Sequence, residues 1–549
     1  MVGLGEGRLV AGHAMSTGVA DVVTRRGKLA NEAFMALKIQ DTLTGRLVPF
    51  TPRNAGKVGV YCCGPTTYDV AHVGHARAAI TPDILVRHLR SRGYPVTYVR
   101  NITDVDDKIL NRAKERGEEP MALSARFAKL YQEEMAEIGC VKPDVEPKVS
   151  EHIPQIIAIV ETLIAKGAAY PVDMPDGTRD VYYAVRAFDG YGKLSKRNID
   201  ELRVGARIEA SDDKRDPIDF ALWKGCTEGE WGWDSPWGKG RPGWHIECSA
   251  MSLEYIGDSF DIHTGGMDLV FPHHENEIAQ SEAAHPELAP LANVWMHNGF
   301  VNVNDEKMSK SLGNFFTLRE VLARNDAEGV RYFLLSVHYK GPIGFTVEEH
   351  PSGRTIFPGI MEAERRVDYL YTTLERLAAL RASTEERPAG NPPKHVSPSA
   401  VELAESARRK VDEALDEDLN TSVAISILGE VAKTANELCD LVAKKKKDFD
   451  LQKWAPEIAG RLETALRACV VPLGLLQTPA DTYRERTQAR RLALLGKTAA
   501  DVEASLRERD EARKSKDFAR SDAIRKALAD AGIEVADSPT GSTWRISPV

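Results

Sequence analysis

The sequence predicts an α/β protein: a parallel sheet flanked by helices, interrupted by an inserted domain, then followed by a helical bundle and a small α+β module. Three observations carry that reading. Strand-like runs at Val58–Tyr61, Val96–Thr103 and Phe260–Gly266 are each followed by a polar or glycine-rich turn and a helical pattern, the alternation that builds parallel sheets. Helical periodicity dominates from about 362 to 476. The tail carries two helical patterns and then two short strand-like runs about the turn at Ser538–Gly541.

At 549 residues the chain has material for about three or four domains. Its 42% hydrophobic and 28% charged content is that of a globular protein, and no apolar run is long enough to span a membrane, so a cytoplasmic protein is expected. A formal charge of −9 argues against a uniformly basic nucleic-acid binder while leaving room for a local basic stripe. The seven irregularly spaced cysteines suit reduced thiols, some on metal, better than a disulfide framework.

Residues 1–34 lack a sustained period and contain Glu6, Asp21 and Glu32, which suits neither a signal core nor an acid-free transit segment. They are expected to be a disordered leader or extension, with Met35 as the natural beginning. Leu37–Thr44 reads as an edge strand before the sheet. The stretch Tyr61–His75 then reads as strand, turn and helix start, where ligands of a parallel sheet sit. His72 and His75, one helical turn apart, offer two imidazoles to phosphate oxygens. Taken alone, the pair is better read as an ordinary helix start.

The three aspartates Asp104, Asp106 and Asp107 read as a helix-start charge cluster rather than a metal site, given Lys108 and Arg112 beside them. Between about 143 and 230 the pattern loosens, as expected of an insertion between the halves of the sheet. Gly243–Met251 then presents Cys248, and Phe271–Ile278 opens a helix on which His273 and Glu277 share a face. Joined by Cys63 they make a four-donor set of two thiolates, an imidazole and a carboxylate. Spacing alone leaves the metal open, because no C-x-x-C pair is present. Glu306–Asn314, with Lys307 and Lys310 among serines and a glycine, suits a loop that closes on polyphosphate, and Thr317–Glu320 is a capping box for the next helix.

Together, His72–His75 and Lys307–Ser311 resemble the two signatures of class I aminoacyl-tRNA synthetases. Cys63 before Gly64, Cys248 in Trp-His-Ile-Glu-Cys-Ser, and Pro-His-His-Glu-Asn-Glu resemble the cysteinyl-tRNA synthetase family, in motif order from about Met35 to Trp544. The resemblance implies a Rossmann-like catalytic domain in two parts, 35–142 and 231–361, around a connective insertion at 143–230. It also implies a helical bundle at 362–480 and an anticodon-binding module at 490–549. The implied zinc ligands are Cys63, Cys248, His273 and Glu277, with His72, His75, Lys307 and Lys310 acting on the phosphates of ATP, Lys310 above all. Thr66, Asn101 and Trp244 are implied for the aminoacyl portion, His263, Gly266 and Asp268 for adenosine, and Arg513, Asp522 and Asp537 for the anticodon of tRNA(Cys). Magnesium accompanies ATP without dedicated protein ligands, and a monomer is the family default.

Zinc suits that family because serine differs from cysteine by one atom, and pocket fit against a near-isostere yields only about a hundredfold. A soft ion that lowers the thiol's pKa from about 8.5 selects the thiolate over a hard, weakly acidic alcohol. A related ligase joining cysteine to a glucosamine-inositol shares the motifs and zinc site but generally lacks so long a tail. Residues 490–549 therefore favour the synthetase.

Overall fold

A computed structural model of the chain describes residues 36–199, 214–257, 260–304, 306–307, 315–383, 388, 390–538 and 541–549. The chain divides into Met1–Ala36 and Leu37–Val549, so the expected leader at 1–34 lies outside the described residues.

At the centre stands a four-stranded sheet of β3 (Val58–Cys62), β4 (Val96–Arg100), β9 (Phe260–Gly266) and β10 (Ala292–Asn298), in the order β10-β9-β3-β4 with every neighbouring pair parallel. All five residues of β3 are buried, as a central strand covered on both faces requires. Helix α1 (Val73–Ser91) carries the crossover from β3 to β4. From β3 the chain builds outward to β4, and after a long excursion returns on the other side of β3 as β9 and then β10. The strand order thus reverses between β3 and β9, and the crevice at their carboxyl ends is where a doubly wound sheet takes its ligand.

The segment Leu37–Thr44 is not an edge strand of that sheet. β1 (Lys38–Asp41) pairs antiparallel with β2 (Arg46–Pro49) as a separate hairpin. Asp41 turns the chain: its carboxylate accepts from Leu43 N at 3.2 Å and Thr44 N at 2.8 Å, and from Trp295 N of β10 at 2.9 Å.

After β4 come α2 (Asp107–Arg116) and α3 (Pro120–Glu137). The aspartate cluster is a helix start: Asp106 caps α2 through Lys108 N, Asp107 pairs with Lys224 and Arg241, and buried Asp104 accepts from Ser150. The excursion continues through α4 (Ile153–Ala165) into an antiparallel sheet of β5 (Ala169–Asp173), β6 (Arg179–Tyr183), β7 (Phe220–Gly225) and β8 (Gly240–Pro242). Its last strand lies beyond residue 230, because Trp223 and Gly225 of β7 pair with Pro242 and Gly240. Helix α5 (Trp244–Ile256) leads back to β9, and α6 (Glu275–Ala284) to β10.

Thr317 caps α7 (Leu318–Leu322) with the expected box, its hydroxyl accepting from Glu320 N while Glu320 takes Thr317 N. Helix α8 (Ala327–Leu335) follows, and then the long helices α9 (Pro358–Ala382), α10 (Pro398–Asp416), α11 (Thr421–Lys444) and α12 (Phe449–Val470). Their apolar faces merge with α1 and α8 into one hydrophobic core, so the bundle is continuous with the central sheet. The buried contact of His88 Nε2 of α1 with Asp416 Oδ1 of α10 at 2.8 Å crosses that junction, and Arg331 of α8 pairs with Asp83 of α1.

Helix α13 (Ala480–Leu494) leads to a module of α14 (Ala499–Lys514), α15 (Phe518–Asp530) and the hairpin Ile533–Ser538/Gly541–Ile546. That module has its own small core of Leu492, Val502, Leu506, Leu528, Ile533 and Ile546. Among the described residues no helix is long and apolar enough to cross a membrane.

Candidate functional site

Where β3 ends, the backbone must pass close under β4. A Cβ on Gly64 would fall 1.6 Å from Asn101 O, so only glycine fits, and Gly64 N donates to Asn101 Oδ1 at 2.8 Å. The other end of that amide donates to Thr103 Oγ1 at 3.1 Å, and Asn101 is wholly buried. Asn101 therefore shapes the β3–α1 loop from beneath. Thr66 bridges to Thr103 on the half-buried face of the same loop.

Four donors converge beside it. Cys63 Sγ lies 3.6 Å from Cys248 Sγ, 3.5 Å from His273 Nε2 and 3.4 Å from Glu277 Oε1, and His273 Nε2 is 3.0 Å from Glu277 Oε1. A tetrahedral zinc ion with bonds of about 2.3 Å to sulfur and about 2.0 Å to nitrogen or oxygen sets donor separations of roughly 3.3–3.8 Å. The cluster fits that size and chemistry. Phe271 is extended (φ −141°, ψ 133°), and the helical residues that follow it run into α6, so His273 stands one turn before Glu277 on the same face, as expected.

The electrostatics suit a cation. Cys63's hydrogen bond holds the Cys248 thiol down at about 6, against its burial. Burial alone would raise the Glu277 carboxyl, but His263 and His273 outweigh it and hold it well below the carboxylate range. Burial likewise disfavours a charged His273, yet Glu277 and Cys248 lift it to about 10. Burial pushes the Cys63 thiol well up, so the site sets a depressed thiol and carboxylate beside a raised imidazole and a thiol that keeps its proton, protons that a bound cation would displace.

A second donor set shares two members: Cys63 and Glu277 with His263 and His274. His263 Nε2 bonds Glu277 Oε2 at 2.9 Å, while its ring stacks on Trp295 with centroids 4.4 Å apart. His263 is wholly buried and stands behind Glu277. His274 Nδ1 is within 2.7 Å of His297 Nε2, and His297 Nδ1 within 2.8 Å of Thr42 Oγ1. His245 Nδ1 lies 3.0 Å from His273 Nδ1 and holds that ring from the side away from Glu277. These supporting imidazoles escaped sequence reasoning. The doublets Trp244-His245 and His273-His274 were a local signal for two of them, whereas His297 comes from a strand across the sheet.

Around the cluster, Trp244 stacks on His273 with centroids 4.4 Å apart, and the Lys108 ammonium sits 5.7 Å from the Trp244 ring. Gly266 and Asp268 lie at the carboxyl end of β9, half-buried and exposed respectively. His72 is the N-cap of α1, and His75 Nδ1 accepts from its backbone N–H at 3.1 Å while the two rings stack at 3.9 Å. His72 also bridges Thr317, and Leu318 N donates to Ala71 O at 2.8 Å. Thr317, three residues past the lysine-rich segment, is therefore pinned to the histidine pair. Lys307 closes a two-residue strand against Asn302; its side chain and Lys310 lie outside the described residues.

In the C-terminal module the structure joins Asp537 to Arg513 at 3.1 Å and, through two hydrogen bonds of 2.7 and 2.8 Å, to Arg509. Arg509 is buried, whereas its basic neighbours in sequence, Arg507, Arg513, Lys514 and Lys516, are exposed. Asp522 is exposed on α15, and Trp544 is half-buried against the module's core.

Comparisons with known proteins agree with this geometry. Residues 49–352 match the family model for the class I (C) tRNA synthetase catalytic domain, 410–477 the DALR domain, and 496–545 the cysteinyl-tRNA ligase anticodon binding domain. The chain is 50% identical over 519 residues to the cysteine–tRNA ligase of Anaeromyxobacter sp. (strain Fw109-5), covering 93% of this chain and 100% of that one. It is 46% identical over 512 residues to that of Geobacter metallireducens (strain ATCC 53774 / DSM 7210 / GS-15), with the same coverage. Among solved structures, Mycobacterium tuberculosis methionyl-tRNA synthetase with methionyl-adenylate superposes with a TM-score of 0.58 at 16% identity, over 81% of this chain and 94% of that one, a likeness of fold. A class I catalytic sheet with this donor cluster at its switch point, matched over nearly its whole length, places the chain in the cysteinyl-tRNA synthetase family.

Proposed function

We propose that the chain joins L-cysteine to tRNA(Cys) in two steps at the β3/β9 crevice, with zinc held by Cys63, Cys248, His273 and Glu277 as the selector of the substrate thiolate. A cysteine carboxylate oxygen attacks the α-phosphorus of ATP, the bond to the β-phosphate oxygen breaks, and pyrophosphate leaves. The terminal ribose hydroxyl of tRNA then attacks the adenylate carbonyl, AMP leaves, and the hydroxyl proton passes to phosphate or solvent. When bound, zinc supplies a soft Lewis acid that favours cysteine's sulfur as thiolate over serine's alcohol.

The observation that carries this reading is the donor cluster, sized for zinc, beside the histidine-capped start of α1. The chain's own groups do the rest by positioning and charge stabilisation. His72 and His75 meet the ATP phosphates at the positive end of α1, and Lys307 and Lys310 close over the departing pyrophosphate. Thr66 and Trp244 border the aminoacyl portion, and Gly266 and Asp268 the adenosine. Magnesium enters with ATP. Arg513, Asp522 and Asp537 face the anticodon bases, where unpaired bases are read by stacking and edge hydrogen bonds. The enzyme works as a cytoplasmic monomer.

The test is cysteine-dependent ATP–pyrophosphate exchange followed by charging of tRNA(Cys), with serine as competitor and metal content measured alongside. One zinc per chain, exchange with cysteine alone, and charging of tRNA(Cys) are expected. Exchange without charging, with a glucosamine-inositol accepted instead, would move the assignment to the related ligase.

A further inference from the structure

Helix α13 is the physical link between the catalytic core and the C-terminal module. Tyr483 near its start belongs to the main core, and Leu492 near its end belongs to the module's own core. Between them the helix is held mainly by ions. Arg486 makes two hydrogen bonds to the carboxylate of Asp326, at 2.8 and 3.0 Å, and Arg490 adds a third at 2.9 Å. Asp326 is wholly buried and is the N-cap of α8, accepting from Glu328 N at 3.0 Å. Its own N–H donates to Glu364 Oε1, and Glu364 Oε2 accepts from Arg491 at 3.1 Å. Arg491 also donates to Ile546 O of the terminal hairpin at 2.9 Å and pairs with Asp368 at 2.9 Å.

The joint is not close-packed: a cavity of about 420 Å³ opens between α9, α13 and the hairpin, lined in part by Asp368, Tyr371, Tyr483, Trp544 and Arg545. Apolar packing tolerates small tilts, whereas a bidentate arginine–carboxylate pair fixes direction as well as distance. Asp326 is also nine residues past Thr317, which bridges to His72. One buried carboxylate thus ties the arm of the C-terminal module to the segment that anchors the histidine pair.

We propose that Asp326, with Arg486 and Arg490, is a positioning set for the second step. It holds α13, and through it the C-terminal module, at the angle that lets one tRNA reach the module and the β3/β9 crevice together. The inference rests on the module contacting tRNA. Two contacts made by one ligand reinforce each other only when their spacing matches, and a misplacement near 1 Å costs about a hundredfold in a positioned reaction.

The test uses the full-length zinc enzyme. Asp326→Asn keeps a side-chain oxygen for the α8 cap and removes the charge, and the Arg486→Gln/Arg490→Gln double variant changes the same joint from its half-exposed side. Both are expected to keep cysteine-dependent pyrophosphate exchange within twofold of the parent and to lose at least tenfold in kcat/KM for full-length tRNA(Cys). Charging of an acceptor-stem minihelix, too short to touch the module, should not change. Arg486→Lys should recover part of the loss. Equal losses on tRNA and minihelix, or no loss on either, would overturn the proposal. A fall in exchange in both variants would assign Asp326 to stability alone, which overturns it equally. If the parent itself gives exchange but no charging, the fault lies with the functional reading instead.

Discussion

Replacing His263 by Phe tests the architecture of the proposed zinc site at the layer behind its donor residues. The substitution keeps a ring to stack on Trp295, whose plane lies 16° from that of the imidazole, and removes the donor 2.9 Å from Glu277 Oε2. Both residues are wholly buried, so no water replaces the lost bond without rearrangement. A hydrogen bond to a charged group contributes about 1.5–3 kcal/mol. Divided by about 1.4 kcal/mol per decade, that is a roughly 10- to 150-fold loss of zinc affinity, in line with the 10- to 100-fold typical for groups that orient metal ligands. Affinity is read by competition with a chromogenic chelator at fixed pH, with thermal unfolding of the zinc-free protein as the control for folding. Zinc affinity within twofold of the parent, with Glu277→Gln clearly weakened, would refute the claim that His263 orients the ligand carboxylate.

Glu134 is buried, and burial raises its carboxyl from 4.5 to about 6, with Arg319 opposing. A raised carboxyl favours the folded state while protonated, so its cost is absent below about pH 4.5 and complete above about pH 6; at about 1.36 kcal/mol per unit this amounts to roughly 2 kcal/mol. Glu134→Gln should therefore raise stability in urea at pH 8 by up to that amount and change it little near pH 4.5; equal effects at both would count against the burial argument. Thr317→Ala removes the cap of α7 and should cost about 1 kcal/mol, together with slower pyrophosphate exchange, since Thr317, just after the lysine-rich segment in sequence, bridges to His72; normal exchange would separate the cap from the catalytic groups. Arg331→Met strands the buried Asp83 carboxylate and should cost about 3–5 kcal/mol in denaturant titration, partly offset by Arg87, which already bonds Asp83 at 3.0 Å.

Much of the site is written locally. His72 and His75 are close because three residues span a helical turn, and Thr317 and Glu320 box a helix start for the same reason, so both were legible in the sequence. The donors Cys63, Cys248, His273 and Glu277 are scattered over more than two hundred positions, and their identity came from resemblance to a family whose motifs are short and ordered. The tail's two helices and hairpin were legible too, because Gly532 and the Ser538–Gly541 turn punctuate it.

Where legibility failed, the deciding contacts were distant in sequence. Leu37–Thr44 has a strand's composition, but Asp41 closes it into a hairpin tied to Trp295 of β10. Asn101 was named by resemblance alone, and only the tertiary contact shows its amide bracing the close approach of Gly64. Arg509 looks like one more surface cation in a basic run, and only the hairpin fold brings Asp537 against it. By itself the sequence determined the elements, the order of the domains and the residue types of the site, because capping, turn chemistry and motif spacing act within a few residues. The tertiary structure alone decided which side chains face the crevice and which stand behind it: parallel pairing of β9 with β3 sets His263 opposite Tyr61 and under Glu277. Likewise, only the packing of α13 on α8 and α9 brings Arg486, Arg490 and Arg491 onto Asp326 and Glu364, since register and helix packing join residues that no local rule relates.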